Sequence, residues 1–389
     1  MEKSEGNNRT KGVSRARFLA GAAAVGVSGA LLPAAGARAA ELPGAATRRR
    51  GPGGPGGGLT RHGVVYTLVD GETPATGFSP ARMRADIRTI RSDLHADTVE
   101  VTGDGVERLN ATASEVAERG MHVWLQPTLG DVPERDILEH LAETGRHAER
   151  LRRQGASVEF SVGCEFWLFV PGIVPGENVQ ERIENLLNGT VDWEKSQRRL
   201  DRFTARAAAV GRSVFHGRLS YAAAQDDKVD WNLFDVVGID YYSCFPDRHD
   251  YVRELRGYLR WSKPLAITEF GTCTYEGAPQ AGGMGWNVVD YGKVPPEIKG
   301  DLVRSEHTQA AYVTDLLDVF ESMGLYAAMV FEFGTADAEH RPDNPLYDID
   351  MASYGIQKAV KNRPGKPSSP WHWEPKEAFH ALARRYACR

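Results

Sequence analysis

Short apolar segments alternate with longer amphipathic segments from Arg61 almost to the C-terminus. Segments such as HGVVYTLV (62–69) and LAITEFG (265–271) are nearly continuous in apolar residues, which is typical of strands that a parallel sheet buries on both faces. The amphipathic segments, such as 133–154, repeat their apolar residues at helical spacing. This alternation predicts an α/β protein built on a parallel sheet.

The pattern gives eight predicted strands with a predicted helix in nearly every gap. The strands are predicted at 62–69, 98–102, 122–129, 158–165, 214–221, 236–242, 265–271 and 326–334. The helices are predicted at 80–94, 105–119, 133–154, 192–210, 251–261, 306–323 and 374–386. The count favours a closed (β/α)8 TIM barrel. A doubly wound open sheet is the alternative, but no G-x-G-x-x-G turn follows the first strand.

Three long insertions follow the fourth, seventh and eighth predicted strands, at 169–191, 272–305 and 335–373. Loops of this length in a compact domain are usually functional. Because each insertion follows a strand, all three should lie at the C-terminal end of the barrel. That end is where barrel enzymes bind their substrates.

The first sixty residues predict export and a linker rather than folded structure. SRARFL at 14–19 resembles a twin-arginine export signal, with Ala16 in the place of the second arginine. An alanine-rich apolar stretch and an A-x-A site at 37–39 follow, so residues 1–39 are interpreted as a cleaved export signal, with an uncleaved anchor as the alternative. Residues 40–60 are rich in Gly, Pro and Arg and predict a flexible tether. Residues 61–389 are then a single domain of a secreted protein.

Charge and hydropathy exclude some partners. The net charge of −5 is spread over both signs, so nucleic-acid binding is not expected. No apolar run after the export signal reaches the ~18 residues of a membrane span, so the mature chain should have no membrane segment. Export permits disulfides. Cys244 and Cys273 are the best candidates for a pair, with free buried thiols as the equally weighted alternative.

Two glutamates carry the predicted chemistry. Glu165 follows the apolar strand that begins at Val158, and Glu269 lies at the end of the strand that begins at Leu265. A carboxylate is costly in a core, but it is tolerated at the open end of a strand. The fourth and seventh strands lie on opposite sides of a closed barrel, so these side chains can face each other across one site. Cleavage of a glycosidic bond needs two such carboxyl groups.

Other residues near the predicted strand ends are candidates for contacts with substrate. Aromatic rings stack on the apolar faces of sugars, and the aromatic candidates are Trp167, Trp286, Tyr66 and Phe333, of which Trp286 is expected to be the most exposed. The polar candidates are Glu332, Gln126 and His216, the last because the predicted fifth strand places it inside the barrel. Packing in the core is the alternative for most of them. The acidic loop 343–350 is interpreted as a solvated turn because its spacing does not fit an EF-hand.

The two glutamates and their separation resemble a large clan of retaining glycoside hydrolases on (β/α)8 barrels. That clan places its acid/base at the end of the fourth strand and its nucleophile at the end of the seventh, and ITEFG at 267–271 is similar to its seventh-strand motif. The resemblance implies that Glu165 is the acid/base and Glu269 the nucleophile. It also implies an oligosaccharide or polysaccharide substrate and no metal or organic cofactor.

The predicted sixth strand carries a second, shorter resemblance to the same clan. The segment DYY at 240–242 is similar to an Asn-Tyr-Tyr motif in which a tyrosine hydroxyl hydrogen-bonds the nucleophile. The resemblance implies this role for Tyr242, with Tyr241 as the second candidate. Paired strand aromatics that only pack are the alternative.

One residue departs from the clan pattern. The clan usually has Asn directly before the acid/base, whereas this chain has Cys164, a weak donor and poor acceptor. This departure favours the alternative hypothesis, a non-catalytic barrel that binds carbohydrate or a cell-surface partner. The chain also resembles exported bacterial proteins labelled abortive infection protein, a name that implies no chemistry.

Overall fold

Residues 58–68, 77–225 and 227–388 are described by the computed structural model. The predicted export signal and most of the predicted tether lie outside these ranges. The strands are β1 (Arg61–Leu68), β2 (Thr98–Gly103), β3 (His122–Pro127), β4 (Val158–Cys164), β5 (Leu219–Ala224), β6 (Val237–Asp240), β7 (Leu265–Phe270), β8 (Val289–Asp290), β9 (Glu297–Ile298), β10 (Ala327–Val330), β11 (Gly334–Glu339), β12 (Gln357–Lys361) and β13 (Trp371–Pro375).

Eight of these strands close an all-parallel barrel in the order β1-β10-β7-β6-β5-β4-β3-β2. The residues of β2 to β7 are all buried, as their continuous apolar character predicts. The predicted (β/α)8 TIM barrel is therefore confirmed, and β10 is its eighth strand.

Helices follow most barrel strands. They are α1 (Pro80–Ser92), α2 (Val106–Glu118), α3 (Glu134–Arg153), α4 (Phe166–Phe169), α5 (Val179–Leu187), α6 (Trp193–Val214), α7 (Arg248–Leu259), α8 (Glu306–Met323) and α9 (Glu377–Ala387). Short polar side chains begin several of them: Asp192 accepts a hydrogen bond from the Lys195 N–H at 3.0 Å, and Ser305 does the same for Thr308 at 3.1 Å. Within the described residues, no helix combines the length and the hydropathy needed to cross a membrane.

The three long insertions lie where the sequence places them, and each contains regular structure of its own. The insertion after β4 contains α5, and the insertion after β7 contains the antiparallel pair of β8 and β9. The insertion after β10 forms a sheet in the order β11-β12-β13. The C-terminal end of the barrel is therefore covered by ordered elements rather than by open loops.

The predicted fifth strand, 214–221, is displaced in the structure. Helix α6 continues through Val214, the next four residues turn, and β5 begins only at Leu219. The apolar pair Val214-Phe215 belongs to the end of the helix and the turn, so its pattern mimics the start of a strand. The shift moves His216 out of the barrel.

Candidate active site

The end of β4 places Glu165 at a sharp change of backbone direction. Its φ of 37° and ψ of 59° are left-handed, which is uncommon for a residue with a side chain. Its backbone N–H donates to the Ala222 carbonyl at 2.9 Å, which ties the turn to β5. Helix α4 starts at the next residue, so the side chain of Glu165 belongs neither to the strand nor to the helix. Its side chain is fully buried.

Glu269 lies one residue before the end of β7 and is almost completely buried. The Tyr242 hydroxyl donates to its Oε2 at 2.8 Å. The Cys164 Sγ lies 3.9 Å from its Oε1. The charge of Glu165 also raises the pKa of Glu269, after burial and Asp240. The structure therefore brings the ends of β4, β6 and β7 together around Glu269.

Glu100 on β2 and Asp240 on β6 complete a buried acidic cluster with Glu269. Burial raises the pKa of Asp240 to about 7. Burial, and then the charge of Asp240, raise the pKa of Glu100 and of Glu269 well above the usual range of a glutamate. Neighbouring buried carboxyl groups cannot all be ionised at once. The cluster therefore retains protons near neutral pH.

Neighbouring side chains hydrogen-bond to the carboxylate oxygen atoms of Asp240 and Glu100 in this cluster. The Thr268 hydroxyl donates to Asp240 Oδ1 at 2.7 Å, and the Cys164 thiol lies 3.5 Å from Asp240 Oδ2. The Gln126 amide donates to Glu100 Oε1 at 2.9 Å. Gln126, which the sequence suggests as a substrate contact, is fully buried and holds Glu100 in this structure.

The space beside Glu269 is small in this conformation. A cavity of about 20 Å³ is bordered by Cys164 and Glu269, by three threonines (Thr67, Thr102 and Thr128) and by two phenylalanines (Phe169 and Phe331). This volume suits one water molecule. A sugar ring can enter only if the elements that cover the barrel end move.

A cleft of about 90 Å³ adjoins this cavity on the side of β1, and Thr67 borders both. Glu332 lies in the cleft and accepts hydrogen bonds from Thr67 at 2.5 Å and Thr335 at 2.6 Å. Burial raises its pKa to about 7. Tyr66 also lines the cleft and donates to Asp86 Oδ2 at 2.9 Å. Glu332 and Tyr66 therefore share one cleft next to the main site.

A much larger cleft, of about 600 Å³, lies between α4, α6 and the end of β5. Trp167 and Trp193 line it, with ring centroids 5.7 Å apart in an edge-to-face arrangement, and Trp193 is 47% exposed. Asp227 also lines this cleft and accepts a hydrogen bond from the Tyr221 hydroxyl at 3.3 Å. The same Tyr221 hydroxyl accepts a hydrogen bond from the backbone N–H of Phe166, the residue after Glu165, at 2.8 Å, so the cleft lies on the Glu165 side of the barrel.

Three of the aromatic candidates for substrate contact line neither the cavity nor the clefts. Tyr241 points outward to the helix layer, where its hydroxyl donates to Glu254 at 2.6 Å. Phe333 packs in the core against Tyr66 and Trp373. Trp286, expected to be the most exposed aromatic, is 5% exposed and packs in the main hydrophobic core.

The placement of His216 inside the barrel is wrong. It lies in the turn before β5, at the opposite end of the barrel from Glu269, and its side chain is 58% exposed. Its backbone N–H donates to Glu149 at 3.1 Å.

The prediction of a solvated acidic loop is wrong. Asp348 and Asp350 are buried against Arg304, and Lys376 adds a second cation at 2.9 Å from Asp350.

All four described cysteines are free thiols.

Sequence reasoning missed Glu100 and Asp86. Glu100 is the one acidic residue within TVEVT, and alternation puts it on the opposite strand face from Val99 and Val101. Asp86 shares the buried face of α1 with Met83 and Ile90. In both cases the sequence has a single carboxylate at a position that the repeat of apolar residues assigns to the buried face.

No known protein family matches the sequence, and no curated protein matches it either. A GH113 beta-1,4-mannanase superposes with a TM-score of 0.55 at 14% identity, covering 85% of this chain and 100% of that one. The GH113 beta-mannanase AaManA from Alicyclobacillus acidocaldarius gives 0.53 at 15% identity, covering 85% and 97%. Beta-glucuronidase 2 from Bacteroides uniformis gives 0.52 at 13% identity, covering 85% of this chain and 35% of that one. At these identities the similarity establishes the barrel fold.

We expect the buried cluster to make stability depend on pH. The folded-state pKa of Asp240, about 7, lies above its ordinary 3.8, so its contribution to stability is present at acidic pH and is lost as pH rises toward 7. Asp240→Asn cannot ionise and should flatten this decline in the free energy of unfolding, measured by urea denaturation across that pH interval. Asp343→Asn, at an exposed loop position, is the control and should follow the wild type. A decline in Asp240→Asn as steep as in the wild type would contradict the account.

Proposed function

We propose that this protein is an exported glycoside hydrolase that cleaves an oligosaccharide or polysaccharide with a two-carboxylate retaining mechanism. The proposal is supported by the positions of Glu165, directly after β4, and Glu269, near the end of β7, at the same end of a closed barrel. The charge of Glu165 acts on Glu269, and the Tyr242 hydroxyl lies 2.8 Å from Glu269 Oε2. The fold neighbours support the same reaction class, because they include beta-mannanases and a beta-glucuronidase. Export rests on the N-terminal sequence alone.

The two glutamates have complementary roles in the proposed reaction. Glu269 attacks the anomeric carbon while Glu165 donates a proton to the departing glycosidic oxygen, which forms a covalent glycosyl-enzyme. Glu165 then removes a proton from water, and that water releases the sugar from Glu269 with overall retention. These steps need no group beyond the side chains and water.

Glu269 must be ionised to attack, and its neighbours shift its pKa in opposite directions. Burial, Asp240, Glu165 and Glu100 all raise its pKa, whereas the hydrogen bond from Tyr242 lowers it. We infer that the retained protons of the cluster reside on Glu100 and Asp240 when Glu269 reacts. Tyr242 is then the positioning residue that selects the ionised form of Glu269.

The large cleft suits the leaving-group side of the substrate. It begins two residues after Glu165, at Trp167, and Glu165 is the proposed donor to the departing oxygen. Its volume of about 600 Å³ falls within the usual range of about 300–1,000 Å³ for ligand pockets. The half-exposed Trp193 offers a ring for stacking against a sugar. The proposed substrate therefore extends beyond a single sugar unit.

A second candidate function is carbohydrate binding without cleavage. The observation that favours it is the closed state of the site, where Glu165 is fully buried and Glu269 is 3% exposed beside a water-sized cavity. Ion pairing does not account for Glu269, since no arginine among the described residues pairs with it. Turnover measurements separate the two functions directly.

The first test replaces each glutamate in the purified mature chain and uses a panel of aryl-glycosides and polysaccharides. Glu269→Gln should lose about a thousandfold or more in kcat on every substrate that the wild type cleaves, because the attacking oxygen is lost. Glu165→Gln should lose about a hundredfold or more on polysaccharide, but much less in the first step on aryl-glycosides whose leaving group needs no proton. Glu254→Gln, behind Tyr241 and outside the barrel, is the control and should keep its activity. Activity near wild type in Glu269→Gln removes its role, and no turnover by the wild type favours the binding function.

A second test concerns the large cleft. Trp193→Ala should lower kcat/KM for oligosaccharides by about tenfold, because stacking on the leaving-group side is lost. Small aryl-glycosides do not reach the cleft, so their kcat/KM should change little. Leu187→Ala removes another exposed apolar side chain that does not line the cleft, and it serves as the control. Equal losses on both substrate types would argue against this placement.

A further inference from the structure

Cys164, Asp240 and Glu269 form a set of potential metal ligands inside the barrel. The thiol Sγ lies 3.5 Å from Asp240 Oδ2 and 3.9 Å from Glu269 Oε1. One ligand atom of each of the three residues lies within 4.8 Å of the other two. A tetrahedral zinc site with usual bond lengths separates a thiolate sulfur from a carboxylate oxygen by about 3.5 Å. The distance from the sulfur to Asp240 matches this value and the distance to Glu269 is slightly longer, so small side-chain movements would bring the three ligands around one zinc ion.

The outer oxygen of each carboxylate is held by a hydroxyl group. Thr268 donates to Asp240 Oδ1 at 2.7 Å, and Tyr242 donates to Glu269 Oε2 at 2.8 Å. The inner oxygens, Oδ2 and Oε1, are the ones that face the Cys164 sulfur. Metal sites commonly use such outer hydrogen bonds to orient their ligands.

No cation of the described residues balances the charge of the cluster when its carboxyl groups ionise. Among the described residues, no Lys, Arg or His forms an ion pair with Glu100, Asp240 or Glu269. The other candidate metal cluster, around Asp348 and Asp350, is different because Arg304 and Lys376 bind those carboxylates directly.

Glu100 adds an unsatisfied buried oxygen atom beside these three ligands. It is fully buried, and its Oε2 has no hydrogen-bond partner among the described residues. It faces the cluster, since its charge acts on both Cys164 and Glu269. A buried carboxylate oxygen without a partner is costly, and a nearby cation would offset that cost.

We propose that Cys164 Sγ, Asp240 Oδ2 and Glu269 Oε1 bind a zinc ion, with a water molecule as the fourth ligand in the adjoining cavity of about 20 Å³. The soft thiolate selects zinc over magnesium or calcium. Binding displaces the thiol proton and any proton on the two carboxyl groups to the solvent. Because zinc would occupy the Glu269 oxygen, bound zinc and glycoside cleavage exclude each other. Zinc is then a reversible inhibitor of the proposed enzyme.

The test measures zinc binding directly, without a sugar. The full mature chain is treated with a chelator, dialysed, and titrated with zinc chloride by calorimetry and with cobalt(II) by absorption spectroscopy. We expect one zinc ion per chain, a binding heat that varies with the ionisation enthalpy of the buffer because protons are released, and a sulfur-to-cobalt charge-transfer band. Cys164→Ser should weaken zinc binding by at least about tenfold and remove the band, and Asp240→Asn should weaken binding while retaining the band.

Cys273→Ser is the matched control, because Cys273 is also fully buried but lies outside the cluster. It should bind zinc and show the cobalt band as the wild type does. Failure of the wild type to bind zinc, or unchanged binding in both Cys164→Ser and Asp240→Asn, would overturn the proposal. Hydrolysis is assayed separately in the presence of chelator. An inactive protein that still binds zinc through Cys164 leaves the metal site standing, and an active protein that binds none removes the metal site alone.

Discussion

Buried carboxyl groups crowded at one end of the barrel are the constraint on which the rest of the site depends. Glu100, Asp240 and Glu269 come from three different strands and share a region closed to solvent. Burial disfavours their charged forms, so the region must hold protons or a cation, or must open to water. A fold that needed only stability would fill these positions with apolar side chains. Their presence therefore points to chemistry at this end of the barrel.

The barrel itself makes this arrangement possible. Each parallel strand delivers its last residues to the same end, so residues far apart in sequence meet without any long connecting structure. The Tyr242 hydroxyl, just after β6, and the Cys164 thiol, at the end of β4, then contact the same carboxylate although β5 separates their strands. The thiol stands at the position where the clan that the sequence resembles usually has Asn, and it is the soft ligand of the proposed zinc site.

Much of this could be predicted from the sequence, because the relevant signals are local. Continuous apolar runs identify buried parallel strands, and a glutamate that ends such a run stands out, as Glu165 and Glu269 do. Glu100 is also a single carboxylate in an apolar strand, but it lies inside the strand, so its role could be predicted only after the two faces of the strand had been assigned. His216 was misplaced because the end of α6 and the start of a strand share apolar character. The burial of Trp286 and Asp350 depends on how long insertions pack against each other, which no local pattern records.

The central claim is that Glu269 is the nucleophile of a retaining glycoside hydrolase. It is tested most directly by covalent trapping with a panel of 2-deoxy-2-fluoro glycosides that carry activated leaving groups and differ in sugar configuration. After digestion, mass spectrometry should find one label per chain, on Glu269, with the sugar that the enzyme turns over. A label on a different carboxylate, no label with any member of the panel, or products released with inverted anomeric configuration would contradict the account.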